Sequence, residues 1–149
     1  MKKINQELFI AILDDDPDFA NVLSRMIEKV LGTGKVQVHI QTFRTTQEAD
    51  TSPLSFDLLF LDVELGNENG IQWVKKWRKT RKFQDIIIAS SYDHYVFDSI
   101  EARPFAYIRK AHLEEDLRKA VRRYWKESRE EPIYVIVKDG KKNILVDPY

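Results

Sequence analysis

Leu8-Phe9-Ile10-Ala11-Ile12-Leu13-Asp14-Asp15-Asp16-Pro17 is an unbroken apolar run closed by three acids and a proline. A continuous run of this length reads as a strand covered on both faces, as in a parallel sheet. Asp16 is placed to cap a helix with Pro17 at its first position. Phe19, Val22, Leu23, Met26, Ile27 and Val30 then recur at helical spacing up to Gly32. The same figure returns downstream. Phe56-Asp57-Leu58-Leu59-Phe60-Leu61 is a second buried run, again ended by an acid, Asp62. The loop from Gly66 to Gly70 leads into a helix expected over 71–81.

Between these units, Val36, Val38 and Ile40 alternate with Gln37, His39 and Gln41, the pattern of a half-exposed strand at a sheet edge. A short helix is expected at 46–50. Ile86-Ile87-Ile88-Ala89 gives a fourth strand ended by Ser90 and Ser91, followed by a helix expected at 94–100. A fifth strand at 105–108 is ended by Arg109 and Lys110, and a last helix is expected at 113–126. Strands alternating with helices require right-handed crossovers. The fold class is therefore α/β, a doubly wound five-stranded parallel sheet. Residues 128–132 read as a linker, and 133–137 with 144–146 flank Asp139-Gly140 as a C-terminal β-hairpin.

Composition narrows the functional classes. The 149 residues include 24 Lys plus Arg and 24 Asp plus Glu, for no net charge, so nothing in the whole-chain balance favours nucleic acid or an anionic membrane. The absence of cysteine excludes disulfides and thiolate metal sites and fits a cytoplasmic location. No apolar run approaches a membrane span. The basic residues of 75–82 and 118–126 read as solvated helix faces, and Trp73 with Trp77 as packing.

In open parallel sheets, ligands bind outside the carboxyl ends of the strands. The residues gathered there are Asp14 and Asp15, Asp62, Ser90, and Lys110. Crowded carboxylates raise one another's pKa unless a cation offsets them, and Mg2+ favours this kind of oxygen-rich site. A carboxylate can accept a phosphoryl group when metal, lysine and hydroxyl groups spread the transferring charge. Asp62, Lys110 and Ser90 supply those parts.

These segments, in this order and each at a strand end, together with Tyr107-Ile108-Arg109-Lys110, resemble the CheY-like receiver domain of bacterial response regulators over about residues 7–127. The resemblance implies a two-component signalling protein in which a sensor histidine kinase phosphorylates Asp62. It implies Mg2+ held by Asp14, Asp15, Asp62 and the main-chain oxygen of Glu64, with Lys110 and Ser90 on the phosphoryl oxygens. Ser90 and Tyr107 would form the switch, and phosphorylation would promote a homodimer. Two departures stand out: Val63-Glu64-Leu65-Gly66 replaces the usual Met-Pro loop, and Ala111 replaces the proline that commonly follows the lysine. The loop and the Tyr-Ile-Arg-Lys ending are similar to receivers attached to LytTR DNA-binding domains. On that resemblance 1–127 is the receiver, 128–132 the linker and 133–149 the truncated start of a LytTR domain, so that DNA would be bound only through a part missing from this chain.

Two rival readings stay open. One is a Mg2+-dependent phosphohydrolase of the haloacid-dehalogenase type, which wants an Asp where Glu64 stands. The other is a receiver fold kept as a protein-binding module and never phosphorylated, which Ala111 favours. The leading reading is a switch and not a turnover enzyme.

Overall fold

The computed structural model describes residues 6–32, 36–77, 80, 82–91, 99–129, 133–136 and 143–146. Strands β1 (Gln6–Leu13), β2 (Val36–Phe43), β3 (Phe56–Asp62), β4 (Phe83–Ser90) and β5 (Ala106–Arg109) form one sheet in the order β2-β1-β3-β4-β5. Every neighbouring pair is parallel. The half-exposed strand β2 lies at the edge, as its alternation requires.

The buried runs supply both cores because successive strand residues face opposite sides. Ile10, Ile12, Leu58, Phe60, Ile87 and Ile108 pack on one side with Leu23 and Ile27 of α1 (Pro17–Leu31). Leu117 and Val121 of a later helix complete that layer. Ala11, Leu13, Leu59, Leu61, Ile86 and Ile88 pack on the other side with Ile71, Trp73 and Val74. Burying Phe60 alone is worth roughly 1.5–3 kcal/mol. One residue of the first run departs from full cover. Phe9 is 39% exposed, its ring stacked on its strand partner His39 at 4.6 Å rather than sealed under a helix.

Helix starts follow their caps. Asp16 accepts from the main-chain N–H groups of Asp18 and Phe19, with Pro17 beginning α1. Thr45 caps the short helix α2 (Thr46–Thr51) by accepting from Glu48 N–H. Asn69 caps α3 (Gly70–Lys75), accepting from Ile71 and Gln72 N–H. Regular helix thus ends sooner than the expected 71–81; Trp77 continues as a turn, and 78–79 and 81 lie outside the described residues. Most of the expected helix at 94–100 also lies outside them, leaving Ser99 and Ile100 helical.

After β5 a 3-10 turn, Lys110–His112, leads into α4 (Leu113–Tyr124), which passes into a π-helical turn at Trp125–Arg129. The first two residues of the expected linker therefore belong to a helical ending. The segments β6 (Ile133–Ile136) and β7 (Asn143–Val146) pair antiparallel, and the turn between them lies outside the described residues.

The basic face of α4 is internally paired rather than a bare cationic stripe. Arg118 meets Glu114 at 3.1 Å, Lys119 meets Glu115 at 3.3 Å and Arg123 meets Glu127 at 3.3 Å, each four residues apart. Trp73 and Trp77 both donate their indole N–H to Asp50 Oδ1, at 2.9 and 3.0 Å, which makes them packing groups tying α3 to α2.

Gly70 marks where the backbone comes closest. Its N–H donates to Val63 O at 2.7 Å, and a Cβ there would collide with the main-chain oxygen of Asp62. Gly66 takes φ +61° with open space around it, so its need is conformational alone. Gly70→Ala is expected to cost about 2 kcal/mol or more by forcing α3 away from β3, against about 1 kcal/mol for Gly66→Ala. Urea midpoints of the two variants measure the difference, and equal losses would contradict the close approach.

Candidate functional site

Parallel pairing brings the ends of β1, β3 and β5 to one rim of the sheet. Leu13 is level with Leu61 and Phe43, Asp62 with Ala89, and Ser90 with Arg109. The acids that end the first and third strands and the lysine after the fifth therefore converge, although they are far apart in the chain. A cavity of about 310 Å³ opens there, lined by Asp15, Asp16, Asp62, Glu64, Gly66, Ser91 and Lys110.

Lys110 is the centre of the charge arrangement. Its Nζ lies 2.8 Å from Asp14 Oδ2 and 3.5 Å from Asp62 Oδ2, and these three side chains are largely shielded from solvent. Asp14 uses its other oxygen, Oδ1, to accept from Asp16 N–H at 2.9 Å, so both its oxygens are directed. Asp15 is exposed and accepts from Gly66 N–H at 3.2 Å, which joins the end of β1 to the loop after β3. That loop is a miniature antiparallel ladder of Glu64–Leu65 with Glu68–Asn69. Glu68 anchors it by accepting from the Thr46 hydroxyl at 2.7 Å.

Burial pushes the Asp62 carboxyl up to about 7, and the negative charge of Asp14 adds to the rise; Lys110 and an N–H donated by Glu64 pull it back only in part. Burial disfavours the Lys110 ammonium, but its hydrogen bond to Asp14 and the charges of Asp62 and Asp14 outweigh this and leave its pKa raised. The ion pair is thus maintained at neutral pH while Asp62 stays close to titration. Asp116 anchors the approach to Lys110: it accepts from the main-chain N–H, Nε and Nη2 of Arg109 at 2.8–2.9 Å. Those hydrogen bonds hold its carboxyl down at about 2. The end of β5 and the first turn of α4 are thereby clamped, and the Lys110–Ala111 bond between them is trans.

One carboxylate oxygen from each of Asp14, Asp15 and Asp62 lies within 4.8 Å of the others. Hard oxygen donors at this spacing suit a small divalent cation such as Mg2+. Glu64 lines the cavity, and its main-chain N–H hydrogen-bonds to the Asp62 carboxyl. Ser90, the last residue of β4, is 2% exposed, and the residue that lines the cavity from that strand end is its neighbour Ser91. Tyr107 is half-buried on β5, packed against the core on the α3 side, and lines a separate cavity of about 440 Å³ with Arg109, Asp116, Lys119 and Arg123. Gly66, Ser91 and Phe19, which read in the sequence as a loop glycine, a strand-end serine and a core position of α1, also touch the site through a main-chain N–H, a place in the cavity wall and a ring face.

A doubly wound sheet in the order β2-β1-β3-β4-β5, with acids after β1 and at the end of β3 and a lysine after β5, defines a receiver-type fold. A model of the response regulator receiver domain matches residues 10–122, and the chain belongs to that family. It is similar to the sensory transduction protein LytT of Bacillus subtilis, 35% identical over 74 residues, covering 50% of this chain and 31% of that protein. It is also similar to the transcriptional regulatory protein LytR of Staphylococcus aureus (strain N315), 30% identical over 110 residues, covering 74% of this chain and 44% of that protein. The chain spans less than half the length of these relatives.

Among solved structures, the BeF3-activated receiver domain of DrrB superimposes with a TM-score of 0.67 at 24% identity, over 82% of this chain and all of that one, a likeness of fold alone. The response regulator TrrA of Thermotoga maritima, in complex with Mg2+ and BeF, superimposes with a TM-score of 0.61 at 25% identity, over 78% of this chain and 97% of that one. The chain is thus a two-component receiver domain related to LytR and LytT. No helix among the described residues is long and apolar enough to cross a membrane.

The raised Asp62 carboxyl has a consequence for stability. The folded protein holds this proton up to about pH 7 and the unfolded chain releases it near 3.8, so ionisation subtracts stability as pH rises between those values. Asp62→Asn removes the penalty. Its advantage over the wild type, in the metal-free protein, is expected to grow from pH 4 to pH 7 and level off above, reaching on the order of 4 kcal/mol at about 1.4 kcal/mol per pH unit. Urea unfolding at pH 4, 5.5, 7 and 8 follows this, and an advantage independent of pH would contradict it.

Proposed function

We propose that this domain is a phosphorylation-controlled switch, in which Asp62 accepts a phosphoryl group from the phosphohistidine of a sensor kinase. The observation that carries the reading is the Lys110 ammonium held between Asp14 and Asp62, at 2.8 and 3.5 Å, at the edge of a cavity open to solvent. In the reaction an Asp62 carboxylate oxygen forms the new P–O bond while the P–N bond to the kinase imidazole breaks, and the imidazole leaves with the electron pair. Lys110 faces the place where negative charge accumulates and neutralises a phosphoryl oxygen. Ser90 or its neighbour Ser91 supplies a hydroxyl from the end of β4.

Asp14, Asp15 and Asp62 would hold Mg2+, with the Glu64 main-chain oxygen completing the protein's share. Bound there, the ion would neutralise the carboxylates and polarise the transferring group. Asp62 protonated near neutral pH is a poor nucleophile, and a divalent cation held there, added to the charge of Lys110, would favour the ionised form that attacks. On this reading Tyr107 and Ser90 relay the modification, and the phosphorylated form dimerises. The similarity to LytR supports a transcriptional output through a LytTR-type DNA-binding domain following residue 132. The unphosphorylated-module reading rested on Ala111, and the Arg109–Asp116 clamp gives Lys110 an alternative means of placement.

Intact mass after incubation with acetyl phosphate tests the reading. One phosphoryl adduct is expected on the wild type with Mg2+, and none without Mg2+ or on Asp62→Ala. A folded wild type that stays unmodified with Mg2+ would sink the phosphoacceptor reading in favour of the binding module.

A further inference from the structure

We propose that Phe19 is a positioning residue for Lys110, holding its ammonium against Asp14 and Asp62. The inference rests on the function proposed above. Lys110 Nζ lies 4.3 Å from the centroid of the Phe19 ring, over its face. The ammonium has three N–H directions. Asp14 accepts a hydrogen bond at 2.8 Å and Asp62 pairs at 3.5 Å, while the ring covers the ammonium with an apolar face where water could otherwise draw the charge outward. A cation over an aromatic face is attracted by the ring quadrupole, more strongly when both are withdrawn from water. The Lys110 side chain is only 16% exposed.

The ring is itself fixed. Phe19 lies in the first turn of α1, its N–H donates to Asp16 Oδ1 at 3.3 Å, and its side chain packs at the margin of the α1 core. Asp16 N–H in turn donates to Asp14 Oδ1, so the cap of α1 aligns the carboxylate partner and the aromatic partner of the same lysine. A flexible four-carbon stem held only by carboxylates could follow them or turn to solvent. With alanine next in sequence there is no ring constraint after Lys110, and the Phe19 face supplies a restraint from across the site. The expected result is an ammonium set in place before a phosphoryl group arrives, which lowers the cost of ordering it then.

Two measurements on the whole chain test this. In the metal-free protein, the ε-methylene protons of Lys110 should resonate upfield of the other lysines through the ring current of Phe19. The displacement should vanish in Phe19→Leu and persist in Phe19→Tyr. Lys110 ε-protons at ordinary shifts in the wild type would overturn the ring contact. Second, beryllium trifluoride with Mg2+, titrated as a stand-in for the phosphoryl group, should bind Phe19→Leu about tenfold more weakly than the wild type, equal to about 1.4 kcal/mol. Phe19→Tyr should stay within about twofold.

Equal affinity of the wild type and Phe19→Leu would overturn the positioning role while leaving the phosphoacceptor reading intact. A wild type that fails to bind the probe would overturn the phosphoacceptor reading and this role with it. Urea unfolding verifies that the leucine variant is folded, and Phe19→Met, similar in apolar volume, repeats the test should leucine fail.

Discussion

Two buried carboxylates at the ends of neighbouring strands cannot both be ionised next to each other without a compensating cation, and in this domain that cation is Lys110. Asp14 is 3% exposed and Asp62 9% exposed at their side chains, so solvent screens their repulsion poorly. The lysine offsets part of it, and the remainder appears as the raised pKa of Asp62. Much of the local structure serves this arrangement. The Arg109–Asp116 clamp fixes the chain on either side of Lys110, the α1 cap orients Asp14, and Asn69 starts α3 so that Gly70 can pass directly over Asp62.

The fold was legible because its signals are redundant. Three apolar runs of similar length, each ended by a polar group, have few solutions other than a covered parallel sheet, and the alternation at 36–43 had only an edge position to occupy. Convergence of Asp14, Asp15, Asp62 and Lys110 then follows from topology, because every parallel strand delivers its carboxyl end to the same rim. No side-chain detail was needed to gather them.

What stayed hidden depends on distances that periodicity does not encode. Phe9 belongs to an apolar run yet finds its cover in a flat stack on His39. The ladder of Glu64–Leu65 with Glu68–Asn69 has no apolar pattern to announce it; it is held by Gly66 at positive φ, by Asp15 and by the Thr46–Glu68 hydrogen bond, contacts made across long chain separations. Ser90 and Ser91 are adjacent and chemically identical, so only the place where the strand ends, with Ser90 buried as its last residue and Ser91 just beyond it, decides which of them lines the cavity. Phe19 sits at a helical core spacing and is in contact with that core, and the same ring reaches Lys110, 91 positions away, only because α1 begins at the rim.

Charge balance at the rim indicates what such an arrangement is poised to do. With Asp62 ionised, Asp14, Asp15 and Asp62 carry three negative charges against the one positive charge of Lys110, leaving two uncompensated. The metal-free protein lowers that excess by keeping a proton on Asp62 up to about pH 7. On the proposed reading, Asp14, Asp15 and Asp62 would hold a divalent cation that would offset this excess and favour the ionised Asp62 carboxylate. A phosphoryl group attached to Asp62, as proposed, would return negative charge to the cavity and would draw part of the attraction that ties Lys110 to Asp14 toward the new oxygens. Such a shift would act on β5, because Arg109 adjoins Lys110, pairs with Ser90 in the sheet register and is bound to α4 through Asp116. On that reading the charge that would carry the signal and the charge that holds the carboxylates together share one lysine, and the Arg109–Asp116 clamp beside it is the contact through which a change would reach α4.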